Sequence, residues 1–349
     1  MSTIPAPLHA VTSAIYRWWE SEGAKETPRA HLGASQIGHA CARHLWYSFR
    51  WCSKQSWDGR MLRLFHRGQK EEATFISELR GIGAEVLEFQ PDGNQWRIEA
   101  LGGHFGCSLD GICRNLPGGS KTNWEVLEFK THNARSFKDL NERGVEKSKP
   151  AHYIQMQVGM GMTGMTRANY LAVCKDDDHL YYERVEFDGK AFKSAMERAQ
   201  KIIFAPEPVH GISTNPAWYQ CKGCQNFGLC HEKRVPVPSC RTCIHATPTQ
   251  DGDWLCERHS KILSVPEQIA ACDGHRFIPA LLANLAEYLD GNSVENWVKY
   301  KNEETGCHFV NGSGEDEYTS AELHSAADSR AIGDVEINRF KAIGARIVG

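Results

Sequence analysis

The spacing of apolar residues divides the first 80 positions into three helical stretches. Val11, Ile15, Trp18 and Trp19 form an apolar stripe that predicts a helix ending near Gly23. A second helix is predicted from Ser35 as N-cap, because apolar residues follow at every fourth position: Ile37, Cys41, Leu45 and Phe49. A third is expected over residues 61–80, with five side chains facing inward: Leu62, Phe65, Phe75, Ile76 and Leu79.

After Gly83 the pattern becomes that of strands, over residues 84–90, 96–100, 105–116 and 124–130. The sequence Leu-Pro-Gly-Gly-Ser at 116–120 predicts a turn between the last two. A helix over 150–165, strands over 168–175 and 179–187, and a helix over 189–204 complete the pattern. We therefore expect an α/β fold with a central mixed sheet flanked by helices.

The whole chain divides into four parts: an N-terminal helix (1–30), a core (31–235), a cysteine-rich module (236–280) and a small acidic C-terminal segment (281–349). Prolines and cysteines mark the boundaries after the core. A short helix is expected over residues 281–289 at the start of this last segment.

The amino-acid composition indicates the class of protein and the compartment to expect. The 349 residues are 41% hydrophobic and 24% charged, as in ordinary globular proteins, and no apolar run approaches the ~18 residues of a membrane span. The first ten residues lack the basic start and apolar core of a signal peptide, so a soluble cytoplasmic protein is expected. Charge is uneven: residues 29–70 hold eight Lys/Arg and one acid, whereas residues 281–349 hold 12 acids and six Lys/Arg. The basic stretch can attract phosphate, but on charge alone a solvated basic face is the better explanation.

The segment with the clearest chemistry is the predicted hairpin. Residues two apart on a strand share a face, so Glu128 and Lys130 project together while Phe129 enters the core. A turn centred on Gly119 makes opposed residue numbers sum to 238, which sets Asp110 opposite Glu128. Two carboxylates can bind Mg²⁺ or Mn²⁺ while the lysine orients or deprotonates water.

Together with His152-Tyr153-Ile154-Gln155-Met156-Gln157, these residues resemble the PD-(D/E)xK nuclease superfamily, in its RecB-like and lambda-exonuclease-like branch of bacteria and phages. The resemblance covers residues ~31–232. It implies that Asp110, Glu128 and the Phe129 carbonyl hold Mg²⁺ or Mn²⁺, and that Lys130 activates water. Gly68-x-x-x-Glu72 matches the acid that assists a second metal, with Glu71 left open.

The resemblance also implies contacts with DNA. Ser35 and Arg43 match the helix start that meets phosphate, and Gln155 matches the glutamine that holds the scissile strand. The sequence departs from the superfamily pattern before Asp110, where Ser108-Leu109 replaces proline. That change removes no ligand.

Seven of the 13 cysteines lie between Cys221 and Cys272, a clustering typical of metal sites. The first set, Cys221, Cys224 and Cys230, needs a fourth ligand, for which Cys41 is the candidate. This split resembles the iron–sulfur staple of RecB-like nucleases and implies a [4Fe–4S] cluster, with zinc or ordinary thiols as alternatives.

The second set has a spacing that can close a zinc site: Cys240, Cys243, Cys256 and Cys272. His245, His259 or His275 lies near enough in sequence to replace one thiolate. The alternative is four unrelated reduced thiols.

We expect a metal-dependent DNA exonuclease of recombination, repair or end processing, in a bacterial cytoplasm or, if phage-encoded, that of the host. The alternatives are a structure-selective or restriction-type endonuclease and a non-catalytic DNA-binding or assembly subunit. The resemblance allows a recombination or single-strand-annealing protein as partner, and it leaves polarity, strand preference and oligomeric state open.

Overall fold

The computed structural model describes residues 9–326 and 328–346. Its helices are α1 (Ala10–Gly23), α2 (Ala34–Ile37), α3 (Ala42–Phe49), α4 (Gly59–Gly81), α5 (Ala134–Ser148), α6 (Pro150–Thr163), α7 (Gly189–Phe204), α8 (Tyr219–Lys222), α9 (Phe227–His231), α10 (Val265–Ala270), α11 (Ser320–Ser325) and α12 (Val335–Lys341). Most of the first ten residues, and the predicted limits at 1 and 349, lie outside the described residues.

The strands are β1 (Leu32–Gly33), β2 (Glu85–Leu87), β3 (Arg97–Ala100), β4 (Phe105–Ser108), β5 (Gly111–Arg114), β6 (Glu125–His132), β7 (Arg167–Cys174), β8 (Leu180–Glu186), β9 (Ala246–Pro248), β10 (Trp254–Cys256), β11 (Lys261–Ile262), β12 (Ala286–Asn292), β13 (Trp297–Asn302) and β14 (His308–Asn311). They form a five-stranded sheet and three smaller sheets of three strands each. The chain is thus a mixed α/β protein.

The five-stranded sheet has the order β2-β5-β6-β7-β8. Strands β6 and β7 run parallel and the remaining pairs are antiparallel, which confirms the predicted mixed sheet. In the β5–β6 pair Gly111 lies opposite Leu127, so the opposed residue numbers sum to the predicted 238.

Helices cover both faces of this sheet. On one face α4 packs against the odd-numbered side chains of β6, and the rings of Phe75 and Phe129 stack with centroids 5.1 Å apart. On the other face α6 approaches closely, because a Cβ added at Gly159 would lie 3.8 Å from Val126. The even-numbered side chains of β6, including Glu128 and Lys130, therefore point to the α6 face.

Two predicted elements are each divided in the structure. The helix predicted over 35–49 is interrupted between Ile37 and Ala42. Gly38 lies in this gap, where an added Cβ would be 2.6 Å from the Ala151 Cα. Ser35 lies inside α2, whose N-cap is Gly33, and Cys41 is the N-cap of α3. The strand predicted over 105–116 breaks at residues 109–110, so β4 joins β1 and β3 while β5 joins the central sheet.

Three further expectations change. Helix α5 was not predicted, because its apolar residues are few. The helix predicted over 281–289 is wrong: a 3₁₀ turn at Pro279–Leu281 leads into strand β12. Asn284 donates to the carbonyl of Leu229 at 2.6 Å, and pairing of β12 with β13 overrides the helical propensity of this segment. Phe65, expected inside, is 42% exposed.

The cysteine-rich segment is fastened to α3 by a buried arginine. Arg241 donates to the carbonyl of Phe49 at 2.8 Å, and its guanidinium lies 3.6 Å from the ring centroid of Trp51. Trp254 of β10 packs against the same guanidinium at 4.7 Å. Because cations stacked on aromatic rings and bonded to carbonyls are well satisfied when buried, this contact holds the segment against the core.

The C-terminal segment forms the sheet β12-β13-β14 with α11 and α12 beside it. Its ion pair between Lys341 and Glu322 is almost fully buried, with Nζ 2.7 Å from the carboxylate. One apolar core continues from Leu32 to Ile332 through these parts of the chain. Within residues 9–326 and 328–346, no helix has the length and apolar character needed to cross a membrane.

Candidate active site

The candidate site begins where β5 and β6 stop pairing. The ladder ends at Gly111 and Leu127, and one residue further Asp110 turns its carboxylate to the β6 backbone. Oδ2 of Asp110 accepts a hydrogen bond from the amide of Phe129 at 2.8 Å. Since the N–H and C=O of a strand residue point to the same side, the Phe129 carbonyl also faces Asp110 rather than a strand partner.

Lys130 reaches into this gap. Its ammonium donates to the Glu128 carboxylate and, at 3.1 Å, to the Phe129 carbonyl. Burial raises the pKa of Glu128 to about 7. The Lys130 ammonium lowers this pKa, and the charge of Asp110 raises it. Burial alone would lower the pKa of Lys130, but Glu128 and Asp110 together raise it. Lys130 is therefore an ammonium at neutral pH.

Helix α4 contributes a further acid from the other side of the gap. Burial, and next the charge of Asp110, raise the pKa of Glu72 to about 7. Of the two neighbouring acids of α4, Glu72 is the one that faces Asp110 and Lys130. Glu88, which was not identified from the sequence, also raises the pKa of Glu72. The Cα of Glu88 lies close to Gly111. Three carboxyl groups thus surround one lysine, those of Glu72, Asp110 and Glu128, and Glu88 lies beside Glu72.

A buried His–Tyr–His chain lies beside this group. The Tyr170 hydroxyl is 2.9 Å from Nε2 of His132 and 2.9 Å from Nδ1 of His152. Tyr170 pairs in register with Glu128, and His132 follows Lys130 by two residues on the same face. Burial lowers the pKa of His132 to about 4 and, with Lys130 next in effect, that of His152 to about 3. Both imidazoles are neutral, and the even-numbered pattern of β6 could have indicated His132.

The three predicted DNA contacts differ in their surroundings. Gln155 is buried on α6, the helix that covers the Glu128 face. Ser35 is exposed on α2. Arg43 donates through Nε to the carbonyl of Val209 at 2.9 Å and lies beside the Cys230 thiol. Its guanidinium thus has a structural contact, and the phosphate roles of Ser35 and Arg43 stay predictions.

The first cysteine set comes together in space. Burial raises the pKa of the Cys224 thiol, and the nearby thiols of Cys41 and Cys221 raise it further. Cys230 lies near Cys41 and Cys224 as well. Nδ1 of His44 lies 3.5 Å from the Cys224 sulfur, a contact that the sequence analysis missed. Chain segments 180 positions apart therefore meet at one group of thiols.

The second set lines one small cavity with three histidines: Cys240, Cys243, Cys256, Cys272, His245, His259 and His275. Burial and the three other thiols raise the pKa of Cys240 to about 12. His275 binds the carbonyl of Ser239 through Nε2 at 2.9 Å, while its buried Nδ1 has no hydrogen-bond partner among the described residues. Soft thiolates and a spare imidazole nitrogen are donors that suit zinc.

Across the described part of the chain, no three His, Cys, Asp or Glu side chains already stand in a metal-holding arrangement. At the carboxylate site the lysine ammonium contacts the oxygens that a cation would need. The donor set itself, two carboxylates and a backbone carbonyl, consists of the hard oxygens that Mg²⁺ and Mn²⁺ prefer.

No family model and no curated protein sequence matches this chain. Among solved structures, the crystal structure of SSO0001 has 16% identity and a TM-score of 0.40, covering 65% of this chain and 98% of that one. An alkaline exonuclease (LHK-Exo) from Laribacter hongkongensis has 18% identity and a TM-score of 0.34, covering 53% and 90%. The same exonuclease in complex with dAMP gives 17% and 0.36 over the same shares. At these low values, the chemistry of the chain must be inferred from its own residues.

The crowded carboxyl groups predict a pH-dependent stability. A carboxyl whose pKa is raised on folding binds more protons in the folded state, so the free energy of unfolding falls as pH rises from about 4.5 to 7. In EDTA, Glu72→Gln should raise the melting temperature at pH 8, on the order of 2 °C, and change it little at pH 4.5.

The matched control is Glu71→Gln, the adjacent position on α4. Thermal melts followed by circular dichroism at both pH values measure the effect. Equal behaviour of Glu72→Gln and Glu71→Gln at pH 8 would contradict the placement of Glu72 among the site carboxylates.

Proposed function

We propose that this chain is a Mg²⁺- or Mn²⁺-dependent deoxyribonuclease, acting as an exonuclease in recombination, repair or DNA-end processing. The observation that carries the proposal is the grouping of Asp110, Glu128 and Glu72 around Lys130, where Asp110 and Lys130 both bond to the Phe129 peptide. A fold gains nothing from burying several carboxylates around one lysine, because each desolvated charge costs stability. Such a group is typical of a functional site.

In the proposed site Asp110, Glu128 and the Phe129 carbonyl would hold the cation, and Glu72 would support a second one. Bound metal supplies Lewis acidity and neutralises charge that develops on phosphate. Lys130 must leave its contacts with Glu128 and Phe129 when these oxygens are taken. As an ammonium it then orients the attacking water and stabilises the negative charge on the phosphate, rather than removing a proton.

Phosphate binding is supported by cations around the site. Arg67 of α4 donates to the Lys175 carbonyl at 3.2 Å, which joins α4 to the loop after β7. Lys149 and Lys175 lie near enough to His132 to lower its pKa further. These cations can receive the strand on either side of the cleaved bond, and we propose Gln155 as a further contact on the α6 side.

Replacing the central residues should abolish cleavage without unfolding the protein. We expect Lys130→Ala and Glu128→Gln to lower metal-dependent hydrolysis of end-labelled linear DNA on the order of 100-fold or more, because each removes charge used at the reacting phosphate. Lys121→Ala is the matched control, since Lys121 is exposed in the turn of the same hairpin. Wild-type rates in either site variant would contradict the assignment.

Circular DNA in the same assay separates the proposed forms of the enzyme. Survival of circular substrate while linear ends are degraded supports an exonuclease. Cleavage of circles would replace it by the endonuclease alternative. Binding of DNA without cleavage in both Mg²⁺ and Mn²⁺ would leave a non-catalytic subunit and overturn the proposal.

We further propose that both cysteine sets hold metal: a [4Fe–4S] cluster on Cys41, Cys221, Cys224 and Cys230, and zinc on Cys240, Cys243, Cys256 and Cys272. The proximity of the thiols within each set supports this. A shared cluster at the first set would tie the start of α3 to α8 and α9, closing a loop of 180 positions around the sheet.

Cys41→Ala should therefore remove the cluster and lower stability, by about 5 kcal/mol on the analogy of a disulfide closing a loop of this size. It should also weaken DNA binding, although Cys41 touches no substrate. Cys307→Ala, a half-buried cysteine outside both sets, is the control.

Iron, acid-labile sulfide and zinc analyses with thermal melting test these sites. A brown protein with near-equal iron and sulfide, plus about one zinc, is expected. Two zinc ions per chain without iron would overturn the cluster and keep the staple. A Cys41→Ala protein with unchanged metal content and melting temperature would overturn both.

A further inference from the structure

An unusual group of aromatic side chains lies exposed at the N-terminal end of α4. Trp57 and Phe65 contact each other with centroids 5.1 Å apart, yet are 41% and 42% exposed. Trp18 of α1 is 55% exposed and packs on Trp19 at 4.9 Å, and Trp19 lies 5.2 Å from the His66 ring. We name Trp18, Trp19, Trp57 and Phe65 the aromatic platform. Clustered exposed aromatics of this kind mark binding surfaces.

The platform is held rigidly, because α1 docks closely on α4. A Cβ at Gly59 would lie 2.3 Å from the carbonyl oxygen of Tyr16, so only glycine permits this approach. The amide of Gly59 donates to Glu20 at 2.9 Å, and Leu62 fills the space against Gly23. Trp18, Trp19 and Phe65 thus project from two helices in fixed contact, and Trp57 lies in the segment directly before α4. A fixed arrangement of rings lowers the entropy lost when a ligand binds.

Helix α4 connects the platform to the candidate active site. Phe65 and Glu72 are seven residues apart on α4, which places them on the same side of the helix and about 10 Å apart along its axis. Gly68 lies between them, and a Cβ added there would meet nothing within 4 Å. A chain that leaves the site along this side of α4 would therefore reach Phe65 within a few nucleotides.

Cations are exposed around the platform. Five of them lie on α1 and α4: Arg17, Arg60, Arg63, Arg67 and Lys70. Two acids of this region are held by backbone amides, since Asp58 accepts from the amide of Met61 at 2.7 Å and Glu20 from that of Gly59 at 2.9 Å. Rigid aromatic faces surrounded by cations suit a polyanion whose units carry π-faces.

We propose that the aromatic platform binds single-stranded DNA by base stacking and delivers the strand to the carboxylate site. In a duplex the base faces are covered by their neighbours, so only an unpaired strand can stack on Trp18, Trp57 and Phe65. This inference rests on the proposed nuclease function and adds the form of its substrate, an unpaired strand or frayed end. It also assigns a role to α1, which lies before the part of the chain that resembles a known family.

Fluorescence anisotropy of a labelled oligothymidylate, measured in EDTA so that no cleavage occurs, tests the proposal. Trp57→Leu with Phe65→Leu should weaken binding between about 10- and 100-fold. Phe65→Trp should keep or strengthen it, because a larger ring still stacks. Tyr288→Leu is the control, an equally exposed aromatic of β12. The leucine variants should retain the salt dependence of wild type, whereas Arg63→Ala should reduce its slope by about 0.7.

Unchanged oligothymidylate affinity in the double leucine variant would overturn the proposal. An equal loss of affinity for blunt duplex and single strand would also overturn it. A loss of affinity accompanied by a change from dimer to monomer in light scattering would overturn it too, because the rings would then contact a second copy of the chain. Failure of the proposed function is distinguishable, since the wild type would then bind through the platform but cleave nothing with Mg²⁺ or Mn²⁺.

Discussion

The candidate site depends on one hydrogen bond, made where two strands part. Beyond the pair Gly111–Leu127, Asp110 takes the place of a strand partner by accepting from the amide of Phe129. This leaves the Phe129 carbonyl directed into a gap with Glu128 and Lys130 beside it. If the ladder continued to a pair Leu109–Phe129, backbone pairing would satisfy the amide and carbonyl of Phe129, and that carbonyl oxygen would not be available to a cation.

The same gap explains the electrostatics of the site. Three carboxyl groups share one ammonium, and burial raises the pKa of Glu72 and of Glu128 to about 7. Lys130 alone cannot compensate this charge, so the arrangement favours binding of a further cation. The lysine contacts the oxygens proposed to bind that cation, which means that the two compete. When a cation takes these oxygens, the Lys130 ammonium loses its partners but keeps its positive charge. It can then turn toward a phosphate.

Much of this arrangement could be predicted from sequence, because local rules fix it. The turn at 116–120 set the register, and the period of two set the faces of Glu128 and Lys130. Long-range contacts decided the rest. Periodicity cannot show that residues 105–116 change sheets at Asp110, nor that contact with Ala151 interrupts the helix after Ile37. At 281–289 strand pairing overrode helical propensity. Helical periodicity likewise did not show that Phe65 is exposed on α4.

Competition between lysine and metal gives the most direct test of the account. Calorimetric titration of Mn²⁺ should show binding to the wild type that Glu128→Gln loses, because a carboxylate ligand is gone. Lys130→Met should bind Mn²⁺ as tightly as the wild type or more tightly, because the competing ammonium is removed, while failing to cleave DNA. Wild-type affinity in Glu128→Gln, or loss of binding in Lys130→Met, would contradict the proposed site.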